Sequence, residues 1–419
     1  MNTLKLALRG LSRNRRRSMV TLLTIALGFS AVALFAGYTH NIYRGLSLSA
    51  IHGEMLGHLT LSKPGMNKEG RLYPERYLLN AAEVSRISEI LRHLPHIKLV
   101  APRLAFNGLI SNGRASTIFI AEGIDPSALQ MLQEGMFSRR QNARDDFDNR
   151  LKKLDPVHPE VVELGSGLAD ILHLKQHDTA AMLVNTMSGQ ANALDVTLGG
   201  TFDTGNAGSN DKYALVSLAF AQNLYDAPGY ADRLTVLLDD VTQTEPMRKL
   251  IRDKLHAAGI DLDIKTWQEL SAFYNQVHGM FNMIFGFIFL IVLTVVVMSV
   301  ANSMGMTVIE RTREIGTLRS IGLRRAGVVR LFTAESFLLT LIGCGMGLLI
   351  TVLVRYGINT ADIAYTPPNS VSPVPLLIDM DIHRIGFTFV LLAIVATLAA
   401  WLPARRAAKQ PIIDALAHI

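Results

Sequence analysis

Four stretches of this chain contain no Asp, Glu, Lys or Arg over a length that can cross a bilayer: residues 18–43, 270–309, 336–354 and 385–404. A spanning helix needs about 20 mostly apolar residues, and backbone polar groups in lipid must be satisfied within the helix itself. Charged residues make up 18% of the 419-residue chain against 49% hydrophobic ones, well below the ~25% charged share of soluble domains. The pattern predicts an integral membrane protein and excludes a purely soluble enzyme. Lys5, Arg9, Arg13, Arg15, Arg16 and Arg17 precede the first stretch with no acid among them. Arg311, Arg313, Arg319, Arg324, Arg325 and Arg330 fall between the second and third, and Arg405, Arg406 and Lys409 follow the fourth. Basic flanks stay in the cytoplasm, so one topology satisfies all of them: both termini inside and a large domain outside, with the 310–335 segment inside.

The first stretch has the basic start of a signal peptide and an Ala31-Val32-Ala33 triplet. Its apolar run continues to Gly37, beyond the ~7–15 residues of a signal h-region, so an uncleaved anchor is expected. The expected organisation is a cytoplasmic amphipathic segment 1–17, helices 18–43, 278–309, 336–354 and 385–404, and an extracytoplasmic α+β domain 44–277. A cytoplasmic segment 310–335, an outer loop 355–384 and a tail 405–419 complete it. Within 44–277, strands are expected at 58–61, 99–104, 117–120, 181–185, 213–216 and 234–238. Helices are expected at 81–94, 164–174, 218–225 and 245–258. The charge-dense 138–155 segment is expected to divide the domain into two lobes, and 199–211 reads as a turn or mobile loop.

Chemistry is sparse. No Gly-Lys dipeptide occurs, so the phosphate-binding loop G-x-x-x-x-G-K-[ST] is missing, and no His precedes Glu, so H-E-x-x-H is missing too. The single cysteine, Cys344, lies in the third apolar stretch and rules out intramolecular disulfides and cysteine metal ribbons. Gly165-Ser166-Gly167 falls short of a nucleophile elbow and reads as a turn. No catalytic or metal site is expected, and the net charge of +6 is a topological signal, so no nucleic-acid partner is expected.

The pattern that stands out is Glu310-Arg311-Thr312-Arg313-Glu314-Ile315-Gly316-Thr317-Leu318-Arg319-Ser320-Ile321-Gly322. An apolar helix runs into water here and ends in alternating charge, with glycines that permit a bend or a stop. Ile315, Leu318 and Ile321 are expected on one side and the charges on another. Such an element suits force reception from a cytoplasmic partner, and an ordinary charged hairpin anchoring the helices satisfies the same pattern. Gly343 and Gly347 form a G-x-x-x-G pair that admits close helix contact, across or within subunits. Asn302 and Glu335 are expected to snorkel or cap near the cytoplasmic interface.

The 310–322 run resembles the E-R-x-R-E-I-G-x-L-R-x-x-G signature of the MacB/FtsX-like ABC transporter permeases, a group that includes the lipoprotein-releasing permeases. Asn302 upstream, Glu335 with Gly343 and Gly347 downstream, and the ending Pro403-Ala404-Arg405-Arg406-Ala407-Ala408…Pro411-Ile412-Ile413-Asp414-Ala415-Leu416 are similar to the family as well. The outer domain's Gly165–Ala169 and His177-Asp178 resemble the family's G-x-x-L-A…G-D segment, with His177 where glycine is usual. Gly200-Thr201-Phe202-Asp203-Thr204-Gly205 and Asp211 resemble a segment of lipoprotein-releasing members.

The resemblance implies a permease of the bacterial inner membrane with no cofactor of its own, ATP and Mg being bound by a separate ABC ATPase. It implies a second permease chain, identical or related, and a coupling role for Glu310, Arg311, Arg313, Glu314, Ile315, Gly316, Leu318, Arg319 and Gly322. The expected cargo is a lipoprotein or other hydrophobic molecule, with a periplasmic carrier or adaptor and membrane lipid as further partners. Alternatives are an FtsX-like regulatory permease acting on a periplasmic partner, and drug or peptide efflux through an adaptor and outer-membrane channel. A membrane sensor without an ATPase leaves 310–322 unexplained.

Overall fold

A computed structural model describes residues 15–70, 72–137, 153–204, 207–361, 363–365, 374–411, 413 and 415. The main elements in chain order are α1 (Arg15–Leu48), β1 (Leu59–Ser62), α2 (Ala81–Arg92), β2 (Ile97–Ser111), β3 (Ser116–Ile124), α3 (Pro126–Phe137), β4 (Val161–Gly165), α4 (Ser166–Ile171), β5 (Thr179–Asn185), β6 (Ala191–Phe202) and β7 (Tyr213–Ser217). There follow α5 (Leu218–Leu224), β8 (Arg233–Leu238), α6 (Thr244–Ala257), β9 (Asp263–Thr266), α7 (Ala272–Glu310), α8 (Thr312–Ser320), α9 (Arg325–Thr360) and α10 (Ile382–Lys409). The elements form two compact units: a helical one (Met1–Tyr43, Val277–Ala364, Pro375–Ile419) and a mixed one (Arg44–Gln276, Tyr365–Val374).

Among the described residues, four helices are long and apolar enough to cross a membrane. They are apolar all round, so hydropathy does not select the packed face; residue size does. On α10, Leu392, Ala396, Ala400, Ala404 and Ala408 recur at i+4, are buried, and form a smooth ridge. Val296, Val300, Met304 and Val308 make the corresponding row on α7, whereas Met283, Phe287, Leu290 and Met298 point outward. Ser336 Oγ on α9 donates to the Ala396 carbonyl at 3.2 Å, fastening α9 to α10.

The glycine pair of α9 meets α1 of the same chain. A Cβ at Gly343 would lie 2.8 Å from the Ile25 side chain, and one at Gly347 would lie 2.6 Å from the Ala26 carbonyl oxygen. Thr351 Oγ1 donates to Ser30 Oγ at 3.2 Å one turn further on. Gly345, between the two, would meet nothing within 4 Å. Gly347→Val is therefore expected to destabilise the helical unit by about 1–3 kcal/mol through overpacking, while Gly345→Val leaves it unchanged. Thermal unfolding of the two variants in one detergent tests this, and equal midpoints would contradict the α1–α9 contact.

In the mixed unit, β2 is the organising strand. Its first half, up to Arg103, pairs antiparallel with β8 in the order β9-β1-β8-β2. Its second half pairs with β3 and β5, and the links β3–β7, β7–β4, β4–β6 and β6–β5 close a ring of six strands. Each half has its own core. Ile87 and Leu91 of α2 and Met247, Ile251 and Leu255 of α6 cover the sheet formed by β9, β1, β8 and the first half of β2. Leu104, Phe106 and Ile110 of β2 alternate inward with Phe119, Met182, Val184, Val196 and Leu198 in the ring core. Most of the 138–155 segment, expected to divide the domain, lies outside the described residues, as does the amphipathic segment up to residue 14.

Two expectations fail here. The 164–174 helix starts later, because Val161–Gly165 is β4 and the helix spans Ser166–Ile171. β4 is buried along nearly its whole length, so it shows no alternation to read. The 199–211 loop is instead the end of β6 followed by a helical turn, Ala207–Asn210. Gly199 sits inside the strand because a Cβ there would come 2.5 Å from Val161 Cγ1. His177, where the family usually has glycine, adopts φ +71° and donates its N–H to the Leu198 carbonyl at 2.8 Å.

Where β2 passes from sheet to ring, a polar network is buried. The fully buried Arg103 guanidinium donates to the Met55 carbonyl and pairs with Glu122, which also pairs with Arg233. The Tyr213 hydroxyl donates to Glu122 at 2.5 Å, and Arg233 reaches Asp232 at 2.5 Å. Burial pushes the Asp232 carboxyl up to about 7, against the pull of Arg103 and backbone N–H groups.

Nearby, burial and the adjacent His52 pull the His58 imidazole down from 6.5 to about 4. His58 Nδ1 accepts the Leu238 N–H at 3.0 Å, a bond that protonation would break. A base with a depressed folded value contributes stability that is full above its unfolded value and lost as pH falls from about 6.5 toward 4. Asp232 acts in the opposite sense and is untouched in the comparison that follows. His58→Asn keeps an acceptor without a titrating ring. It is expected to narrow the drop in unfolding temperature between about pH 7.5 and 4.5. An equal drop in both chains would contradict a buried neutral His58.

Candidate functional site

The corner between α7 and α9 carries the sequence motif. Helix α7 breaks at Arg311, whose backbone (φ −105°, ψ 15°) leaves the helical region before α8 begins. Arg311 turns inward. Its Nε donates to Glu314 at 2.9 Å, a terminal nitrogen reaches Glu335 on α9 at 3.2 Å, and the guanidinium lies 5.6 Å over the Phe332 ring. Glu335 is 3% exposed, so it neither snorkels nor caps but anchors Arg311 from beneath. Asn302 faces outward from α7. Glu310 pairs with Arg17 of α1 at 2.7 Å, and Arg319 donates to the Gln410 carbonyl at the end of α10. The corner is thereby tied to all four long helices.

Helix α8 is amphipathic. Thr312, Ile315 and Gly316 are buried, with Ile315 packed among Phe332, Val328 and the alanines of α10. Gly316 makes no bend; it lies inside the helix on the buried face. Gly322 provides the stop, at φ +103°, with its N–H bonded to Arg319 O at 3.1 Å and Leu323 N–H bonded to Leu318 O at 3.0 Å. Leu318 is half-buried, but Ile321 is 80% exposed, against the expectation that it shares the face of Ile315. At about 100° per residue the helix carries Ile321 about 120° round from Ile315, off the buried face. The open surface presents Arg313, Thr317 and Ile321, followed by Arg324, Arg325 and Arg330. It is a basic surface with one apolar knob. Arg17, Phe332 and Gln410 were not legible as corner residues; Arg17 is hidden among other arginines of the basic N-terminal flank.

Residues 18–254 match the family model of the MacB-like periplasmic core domain, and residues 286–412 match the FtsX-like permease C-terminal model. The chain belongs to the MacB/FtsX-like ABC transporter permeases. The corner motif falls inside the FtsX-like match, and the strand-to-helix turn at Gly165 inside the MacB-like one. Among its relatives is the "Macrolide export ATP-binding/permease protein MacB" of Shewanella sp. (strain ANA-3), 24% identical over 440 residues, covering 99% of this chain and 60% of that protein. The "Pyoverdine export ATP-binding/permease protein PvdT" of Pseudomonas entomophila (strain L48) is 30% identical over 177 residues, 42% of this chain and 25% of that protein. The chain thus spans about 60% of the length of the first of these relatives. The crystal structure of the periplasmic region of MacB from Actinobacillus actinomycetemcomitans aligns with a TM-score of 0.34 and 14% identity, covering 51% of this chain and 90% of that one.

Proposed function

We propose that this chain is the membrane subunit of a bacterial inner-membrane ABC transporter, coupling ATP hydrolysis on a separate ATPase subunit to movement of a hydrophobic or amphiphilic cargo at the periplasmic face. The observation that carries the reading is the corner 310–322: anchored from within by Arg311–Glu335, Glu310–Arg17 and Arg319–Gln410, open outside at Arg313 and Ile321. A partner pressing on α8 would move the four helices together. The basic flanks put this corner in the cytoplasm with both termini, and the mixed unit outside. ATP and Mg would be held by the ATPase, since this sequence lacks a phosphate-binding loop. Two permease chains would pair above two ATPase chains.

A lipoprotein remains the cargo suggested by the Gly200–Gly205 likeness. Phe202, however, is core, 3% exposed and 6.0 Å from the Tyr213 ring, so that likeness reports folding as much as cargo. Export of a small molecule is the second reading, favoured by the relatives' names, which specify macrolide and pyoverdine export. Purification of tagged chain from native membranes in mild detergent tests the proposal. Recovery of an ATPase chain is expected, with a lipoprotein or carrier indicating extraction and an adaptor with an outer-membrane channel indicating efflux. A monodisperse preparation without an ATPase would overturn it.

A further inference from the structure

The exposed side of α10 carries a feature that the coupling reading does not use. At about 100° per residue, Val390, Ile394, Leu398 and Trp401 fall on one face of the helix, opposite the buried alanine ridge. All four are exposed, and Arg405 and Lys409, also exposed, continue the row from Trp401 at i+4. Depth follows from the helical rise. The charge-free run 385–404 is about 30 Å long, the thickness of a bilayer's hydrocarbon core. Trp401 therefore lies in the last apolar turn, and Arg405 is the first charge beyond it, at the level of lipid phosphates. Its side chain does not run on into water. Helical side chains lean toward the helix N-terminus, which here is toward the membrane, and the Arg405 guanidinium lies 4.9 Å from the Trp401 ring centroid. A cation is thereby held against an aromatic face at the end of an apolar stripe. Helix α10 itself carries no Asp or Glu that could neutralise it.

We propose that Trp401, Arg405 and Lys409 bind the headgroup of an anionic phospholipid, with Arg405 on the phosphate and an acyl chain along the stripe from Leu398 to Val390. Length matches this occupant. Val390 to Trp401 rises about 16 Å, close to half the hydrocarbon thickness, so the stripe is as long as one leaflet is deep. A free phosphate would meet the two cations and leave the stripe unused. A guanidinium takes a phosphate through two parallel N–H bonds, and it stacks on aromatic faces as well. Charge selects among lipids. A zwitterionic headgroup brings its own ammonium to a site that already holds two cations, whereas phosphatidylglycerol brings a net negative charge. The inference requires α10 to span the bilayer, and it stands or falls independently of any ATPase.

Trp401 is its own reporter, because Trp267, the chain's other tryptophan, is buried in the mixed unit. The full chain is reconstituted in phosphatidylcholine vesicles containing a minority of phosphatidylglycerol. Bromine, which quenches indole fluorescence on contact, is carried on the acyl chains of the phosphatidylglycerol or of an equal amount of the phosphatidylcholine. Trp401→Phe supplies the background from Trp267. A basic residue at the membrane surface favours anionic lipid about fivefold at most, so brominated phosphatidylglycerol is expected to quench Trp401 about threefold more than brominated phosphatidylcholine. Arg405→Gln is expected to bring that ratio close to one. Arg406→Gln removes the same charge about 100° round the helix and is expected to leave the ratio unchanged. A ratio of one in the parent would overturn the proposal, as would a ratio that Arg405→Gln leaves intact. Equal losses from Arg405→Gln and Arg406→Gln would show a diffuse basic flank and no site. Quenching by neither lipid would show the stripe covered by protein, which overturns it too.

Discussion

Arg313→Glu leaves the chain inserted and folded but lowers the ATP-driven activity of the assembled complex by tenfold or more. Arg313 is exposed on α8, and surface substitutions of this kind change stability by no more than about 0.5 kcal/mol. At a protein interface, loss of a charge partner costs ~2–5 kcal/mol, much of it from leaving the opposite charge unpaired. Arg311→Ala behaves differently. It strips the buried Glu335 of its partner and removes the guanidinium over Phe332, so folding fails along with function. Membrane yield, unfolding temperature and ATP-driven activity, measured on both variants, separate the two roles. If Arg313→Glu lost yield as Arg311→Ala does, the corner would be an anchor and no coupling surface.

Arg103→Met unfolds the mixed unit far more easily than its single-residue scale suggests. The guanidinium is fully buried between Met55 and Glu122, and its removal takes one of two charged partners from Glu122 and one of the charges that oppose the desolvation of Asp232. Breaking a buried pair by deleting one partner costs about 3–5 kcal/mol. A unit of ordinary stability has only ~5–15 kcal/mol to lose. Arg86, which reaches the Ala258 carbonyl at the surface, is the control, with Arg86→Met expected within about 0.5 kcal/mol of the parent. Hydrogen exchange of the full chain, read on β2, β3 and β8, reports both. Equal protection in Arg103→Met and the parent would contradict a structural network at the strand junction.

These two sites differ in how visible they are in sequence. The spanning helices are legible because each is a long charge-free run, and the alternating segments of β2, β3 and β5 because one face is wet. β4 is buried on both faces and β6 carries two glycines, so neither periodicity nor turn chemistry reveals them. The six-strand ring depends on β4–β6 and β3–β7 pairings between distant segments, which no local pattern encodes. Arg103 is one basic residue among many until the fold closes over it. At the corner, composition marks the motif but not its phase: Arg311 and Arg313 look alike until the break at Arg311 turns one inward and leaves the other exposed.

The central claim, that the open face of α8 seats an ATPase, is tested most directly by placing a photo-crosslinking residue at Ile321, 80% exposed at the tip of the corner. Irradiation of native membranes followed by mass spectrometry is predicted to yield an adduct with a chain that carries a phosphate-binding loop. A control at Met298, on the outward face of α7, is predicted to yield lipid adducts only. Lipid adducts at Ile321 as well, in membranes where the chain is folded and abundant, would contradict the account.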